Sequence, residues 1–383
     1  MVNILEKLTR ATNSKKFIPE IDGFRFLAIV PVVLMHFNTY FSKSIGRDFR
    51  LMSNQMNTWD WFFTKGEIGV DLFFAISGFI LGLPFIKAYV QKTTSPKLSN
   101  YYYRRLTRLE PPFIITLIIF YLTHIFINGE SFYALFDNFI ASLFYVHYFV
   151  YGKWSVINPV TWSLETEVQF YMLAPFLCAL FFKKTKKIFM AFIMIILTIL
   201  SFIIISNIFV ETYMKLHLSK SILLYLPNFL VGFLIASLFV VKNNFLKKQL
   251  YLYDVIGLTS FYLMFVTAKE NRYLFIMFLF FLFISVFKGK LLNKFFRIKI
   301  IYVIGGMCYS IYLIHYAFFH FIVNFTKDIL IFDEYILNFL VQAIIVFPIM
   351  FTVCSIFYIL VEKPCMDKDW PKKLVIMFKS KTS

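Results

Sequence analysis

Apolar runs close to the roughly 20 residues that a helix needs to cross a hydrocarbon core recur along almost the whole chain, separated by short, mostly basic connections. Ten runs approach that length: 24–42, 67–90, 111–128, 160–182, 188–209, 221–241, 250–267, 271–288, 300–325 and 335–361. A further apolar piece, Phe139 to Val150, is too short to cross and reads as re-entrant or interfacial. The pattern therefore predicts an all-α integral membrane protein, a bundle of about ten transmembrane helices with one short re-entrant or interfacial segment. It contains no internal repeat, low-complexity linker or soluble appendage, so three regions are expected: an N-terminal segment over 1–23, one membrane domain over 24–361 and a basic tail over 362–383.

Composition agrees. Hydrophobic residues make up 60% of the chain and aromatic residues 21%, with a mean hydropathy of +0.72. Soluble domains hold only about 45–50% apolar residues, so that class is excluded. The net charge of +18 would suit a nucleic-acid partner, but the basic residues sit in short runs between apolar stretches. That distribution orients a membrane protein, and no nucleic-acid partner is expected. With the N-terminus cytoplasmic, 28 of the 39 lysines and arginines fall on the cytoplasmic side and 10 in outer loops, Arg25 within the first run being the remaining one, so both termini are predicted inside. The first apolar run follows a polar stretch, Met1 to Asp22, and lacks a small-residue cleavage site, which reads as a retained anchor. Cys178, Cys308, Cys354 and Cys365 form no metal-ligand pair and read as small core residues, and no metal is expected.

The polar residues inside the runs carry the chemistry. Arg25 and His36 lie eleven positions apart in the first run. A charged group at the centre of a bilayer helix costs roughly 2.5 to 3.5 kcal/mol, which makes such a residue a functional candidate. Eleven helical steps return to within roughly 20° of the starting direction, so both project from one face, roughly 16 Å apart, with Pro31 as a kink site between them. The plainer reading has Arg25 snorkelling to one interface and His36 resting in the other. Arg105 and Arg108, three apart, share a helix face and suit bidentate recognition of phosphate, although arginines beside a span end also serve as ordinary topology signals. Glu165 and Glu167, two apart, point to different sides of a helix. Glu167, deeper in the run with Gln169, is the favoured functional member; the competing picture is an aromatic belt of Trp162, Phe170 and Tyr171 with solvated acids. Asp71 is the costly residue of the second run, whereas Ser77, Gly78 and Gly82 fit close helix packing. Tyr312 and His315 share a face of the ninth run, where a buried histidine more often completes a structural network than acts as a base.

Six motifs in order resemble one family. They are Asp22-Gly-x-Arg25 with His36, Gly69-Val-Asp-Leu-Phe-Phe-x-x-Ser-Gly78, Arg104-Arg-x-x-Arg-Leu-x-Pro111, Trp162-Ser-Leu-x-x-Glu-x-Gln-Phe-Tyr171, Tyr312-Leu-x-His315 and Glu362-Lys-Pro364. From Ile21 to Pro364 the chain resembles the acyltransferase-3 family of multi-pass membrane O-acyltransferases, in the stand-alone form without an SGNH esterase domain. The resemblance implies a ten-helix bundle in the bacterial inner membrane that takes an acyl group, often acetyl, from cytoplasmic acyl-CoA. The acceptor it implies is a hydroxyl of a cell-envelope carbohydrate, free or lipid-linked, such as O-antigen, capsule or exopolysaccharide. By the same match Arg25 and His36 are the essential pair, Arg105 and Arg108 the donor-binding motif and Glu167 the carboxylate. Val168 stands where the carboxylate motif often carries a second acid, which leaves Glu165 without an assigned role.

The residue types fit that chemistry in their own right. A sugar hydroxyl needs a base of near-neutral pKa to attack a thioester, and histidine meets that requirement. His36 is expected as general base or acyl acceptor, with Arg25, Asp71 or Glu167 orienting the imidazole or stabilising negative charge. No Gly-x-Ser-x-Gly elbow is present for a serine nucleophile. The alternative is a proton-coupled transporter or flippase of a glycan or acyl precursor, against which stands the absence of paired repeats.

Overall fold

The computed structural model describes residues 4–10, 17–47, 58–183, 188–212, 217–241, 248–267, 271–367 and 369–373. Every regular element among them is helical. In chain order these are α1 (Ile4–Leu8), α2 (Pro19–Ser44), α3 (Thr58–Thr64), α4 (Ile68–Val90), α5 (Leu98–Phe126), α6 (Phe132–Leu143), α7 (His147–Tyr151), α8 (Trp162–Cys178), α9 (Ile188–Thr212) and α10 (Ile222–Val241). They continue with α11 (Tyr251–Thr267), α12 (Arg272–Lys288), α13 (Lys290–Phe296), α14 (Lys299–Gly306), α15 (Cys308–Thr326) and α16 (Tyr335–Phe357), the last extended by a π-helical turn over Tyr358–Glu362. Phe126, Ile344 and Leu360 point outward from the bundle, as lipid-facing side chains do.

Among the described residues seven stretches are long and apolar enough to cross a membrane: Pro19–Ser44, Trp59–Val90, Leu98–Phe126, Pro159–Lys183, Ile222–Val241, Cys308–Thr326 and Tyr335–Cys365. Counted together as one broken span, α12 and α13, bent by 80°, bring the number to eight. The expected runs 188–209 and 250–267 are helices, but their described apolar parts, Phe189–Ile204 and Tyr251–Thr267, are shorter than a full span. The run 300–325 is two helices broken at Met307. The piece 139–150 is not one continuous helix: α6 and α7 meet at a turn where Tyr145 has a φ of 58°.

Prolines fall inside α2, α4, α5, α8, α10 and α16, and each removes the backbone donor to the carbonyl four residues earlier. Two of the orphaned carbonyls are taken up by side chains from other elements. Thr107 O, released by Pro111, accepts from Trp370 Nε1 at 2.8 Å; Tyr171 O, released by Pro175, accepts from Tyr101 Oη at 3.2 Å. The same economy holds at the 80° bend, where the Asp254 carboxylate caps the first amides of α13, accepting from Lys290 N at 3.0 Å and Leu292 N at 2.8 Å.

Small residues set the close crossing of α4 and α10. A Cβ on Gly78 of α4 would lie 2.0 Å from Phe229 O, and one on Gly232 of α10 would lie 2.1 Å from Ala75 O, so each helix supplies the glycine that admits the other's backbone. Two apolar cores result. One gathers α4, α8, α9, α10, α12 and α13; the other gathers α5, α15 and α16. The long helix α2 belongs to both, with Phe24 and Ala28 in the first and Ile29, Val33, Phe37 and Phe41 in the second.

Candidate active site

Where the two cores meet lies a cavity of about 110 Å³, walled by α2, α4, α5, α8, the α14–α15 junction and the terminal turn of the last span. Arg25, Arg105, Arg108, Glu167, Tyr312 and Glu362 bring polar groups into it. Arg105 and Arg108, one turn apart on α5, both face it as their spacing predicts. The Arg105 guanidinium lies 5.7 Å from the Tyr101 ring and 5.8 Å from the Tyr171 ring, within cation–π range. The Nε atoms of both arginines are buried without a hydrogen-bond partner. Among the described residues no carboxylate lies at ion-pair distance from either guanidinium. A buried guanidinium in that condition is costly unless an anion meets it.

Arg25 faces the cavity from α2 and is ion-paired with Asp22 one turn earlier, which also holds Arg10 at 3.0 Å. Glu167 accepts a hydrogen bond from Ser77 Oγ. Glu165 turns the other way and accepts from Tyr148 N at 2.9 Å, so its carboxylate anchors α7. Two apart on one helix, the acids separate as expected. Glu362, which the sequence reading placed at the head of the tail, is buried against the cavity: its Oε2 accepts from Ser310 N at 3.0 Å and Ser310 Oγ at 2.6 Å, and its Oε1 has no partner. The Glu-Lys-Pro motif contained the signal, but a carboxylate at the end of an apolar run is indistinguishable by composition from a solvated one.

His36 lies beyond the cavity's far end. Val32, one turn before it, lines this cavity, and Tyr40, one turn after it, lines a second cavity of about 390 Å³. On α15 the same order repeats: Tyr312 faces the first cavity, Tyr316 the second, and His315 stands between. His36 Nδ1 and His315 Nε2 are 2.9 Å apart. His315 Nδ1 lies 2.8 Å from Ile311 O and 3.0 Å from Tyr312 O, which only accept, so Nδ1 carries the proton. In the neutral pair His315 Nε2 then accepts from His36 Nδ1–H, and the lone pair of His36 falls on Nε2. The Tyr316 ring meets the His36 ring edge-on at 5.0 Å. Tyr312 Oη donates to Val160 O at 2.6 Å and lies 3.0 Å from Ser163 Oγ, which locks the α8–α15 contact beside the cavity.

Asp71 belongs to a different set of partners. Its Oδ1 accepts from Asn228 Nδ2 at 2.8 Å, and Arg272 donates to Leu224 O and reaches Asn228 Oδ1 at 3.4 Å. That network ties α4 to α10 and α12 and does not line the first cavity.

The family described as an acyltransferase domain, Acyl_transf_3, matches residues 18–359. The chain belongs to the acyltransferase-3 family. Similar proteins include the O-acetyltransferase OatA of Staphylococcus aureus strain NCTC 8325 / PS 47, 25% identical over 329 residues, which are 79% of this chain and 51% of that protein. SACOL0978 of S. aureus strain COL is 26% identical over 344 residues, 82% of this chain and 52% of its own length. The chain thus spans about half the length of the curated relatives it matches. No solved structure matches it. The match is to a family domain, and the cavity joins Arg25, the α4 motif, the arginine motif, the Glu167 motif, Tyr312 and Glu362 from six separate stretches of that domain and its C-terminal edge.

Proposed function

We propose that the protein transfers an acyl group, acetyl in the first instance, from cytoplasmic acyl-CoA to a hydroxyl of an extracytoplasmic envelope glycan, with His36 as general base. The observation that carries this reading is the position of the His36–His315 pair between two cavities of opposite character: one bears Arg25, Arg105 and Arg108, the other Tyr40, His124, Asn128, Tyr316, His320 and Asn324. Guanidinium groups with unpartnered Nε atoms suit the phosphates of the donor. A mixture of aromatic faces with imidazole and amide edges suits a sugar, free or lipid-linked. The charge distribution along the sequence supports an arginine side that is cytoplasmic, in a bacterial inner membrane with the N-terminus inside.

In this mechanism the thioester enters along the first cavity toward Val32, and the acceptor hydroxyl approaches from the Tyr40 side. His36 Nε2 takes the hydroxyl proton as the oxygen attacks the thioester carbonyl. The tetrahedral intermediate then expels the thiolate, which takes the proton from the imidazolium, leaving an O-acyl sugar and CoA. His315 holds the tautomer that makes this possible. Arg25, paired with Asp22 and roughly 16 Å from His36 along an ideal helix, is assigned to the donor rather than to the imidazole. Glu167 positions Ser77 and the cavity wall, and Asp71 is assigned to the α4–α10–α12 network.

The test is mass spectrometry of envelope glycans from cells expressing wild type or His36→Ala, alongside labelled acetyl-CoA supplied to membranes. We expect the acyl mark to disappear with the variant while the protein remains in the membrane at wild-type level. Persistence of the mark would remove His36 from the chemistry.

A further inference from the structure

Residues 4–10, ahead of the first span, are built into the bundle. Leu8 is buried, Glu6 lies 3.9 Å from Lys299 of α14, and Lys363 Nζ donates to Lys7 O, so α1 is fastened both to α14 and to the end of the last span. This docking brings Arg10 to Asp22, at 3.0 Å, on the Arg25 end of α2. Its side chain is only 14% exposed. Arg10 and Asp22 sit directly behind Gly306, which lines the donor cavity: a Cβ there would lie 3.7 Å from Arg10 Cβ and 4.0 Å from Asp22 Oδ2, ordinary contact distances. Burial, with the like charges of Arg108 and Arg25 close by, pulls the Arg10 guanidinium down to about 10, still cationic at neutral pH.

The charge balance asks for an anion. Four guanidinium groups, from Arg10, Arg25, Arg105 and Arg108, face three carboxylates, Asp22, Glu167 and Glu362. Of the three, Asp22 alone is ion-paired to any of them among the described residues, and it is shared by two. We propose that Arg10 is a fourth arginine of the donor site, binding the phosphate-bearing end of acyl-CoA together with Arg108, with Asp22 as the fixed carboxylate that holds Arg10 and Arg25 in place. This rests on the acyl-CoA reading above and extends it to a residue outside the family match, which begins at residue 18. The N-terminal segment is thereby part of the donor site, and donor recognition depends on how that segment docks.

The test uses the full-length chain in phosphatidylcholine proteoliposomes, where no anionic headgroup competes, with acetyl-CoA and the phosphate-free thioester S-acetylpantetheine as alternative donors. Arg10→Ala should raise KM for acetyl-CoA about tenfold or more, leave KM for S-acetylpantetheine within twofold, and weaken inhibition by adenosine 3′,5′-bisphosphate; Arg10→Lys should recover part of the loss. A charge-assisted hydrogen bond of roughly 1.5–3 kcal/mol corresponds to that range. Equal changes with both donors would make Arg10 a purely structural partner of Asp22 and overturn the proposal, as would unchanged inhibition by the bisphosphate. Failure of the wild type to use acetyl-CoA would strike the underlying reading instead, a separate and distinguishable result.

Discussion

The two ends of α2 are built on opposite electrostatic plans. Around Arg25 the groups are ionic and incompletely satisfied: guanidinium nitrogens lack partners, a Glu362 oxygen lacks one, and cations outnumber carboxylates. Around His36 the groups are mutually oriented, an imidazole pair flanked by aromatic rings and terminated on backbone carbonyls. An under-satisfied cluster stores affinity for a ligand that brings the missing charge, whereas a satisfied one fixes geometry. Under the proposed function the contrast would separate binding from proton transfer along a single helix, with Arg25 and His36 serving different parts of the reaction without touching.

That division is most sharply broken at its reactive end. In proteoliposomes, His36→Ala should lower kcat for acetyl transfer by about 10²- to 10⁴-fold, the usual contribution of a general base, with donor KM little changed. A comparable loss in KM instead would place His36 in binding and erase the distinction. Arg108→Ala should act the other way, raising donor KM about 10- to 100-fold through a lost charge-assisted contact while kcat falls far less. Arg108→Lys should rescue only partly, since an ammonium cannot reproduce the planar fork. Equal effects of His36→Ala and Arg108→Ala on both parameters would show that the two ends work as one unit.

Much of this arrangement was legible before any coordinates, and the exceptions have physical causes. Helical periodicity put Arg105 with Arg108, and separated Glu165 from Glu167, because spacing along one helix fixes direction around it. The same logic could not find Arg10, Glu362 or the His36–His315 contact, which bring together positions 12 to 279 residues apart in sequence. Span counting was coarse where apolar runs break or fall short: the run 300–325 conceals a break at Met307, and the described apolar helices in 188–209 and 250–267 are shorter than a full span. Hydropathy averages over such breaks. Asp71 illustrates a further limit, since the cost of a buried carboxylate is the same whether its compensation is structural or catalytic.

His315 offers a finer test of the His36 end. A single neutral hydrogen bond contributes about 0.5–1.5 kcal/mol, so His315→Ala should lower kcat roughly 2- to 12-fold, leave donor KM unchanged, and be partly rescued by His315→Gln, which restores an acceptor for His36 Nδ1. A change confined to KM would show that His315 shapes a cavity rather than the base.

Asp71 should respond least in activity. Its carboxylate is held by Asn228 beside Arg272, and none of these side chains lines the donor cavity. Asp71→Asn keeps the size and one acceptor oxygen while removing the charge that faces Arg272. We therefore expect kcat and donor KM within about twofold of wild type, with a stability loss of about 1–3 kcal/mol from weakening a buried hydrogen-bonded network, read as a lower midpoint in thermal unfolding in detergent. The combination matters more than either number. Stability lost with chemistry retained places Asp71 in the framework that joins α4, α10 and α12; a hundredfold fall in kcat at unchanged stability would instead return Asp71 to the reaction and extend the polar machinery beyond the axis of α2.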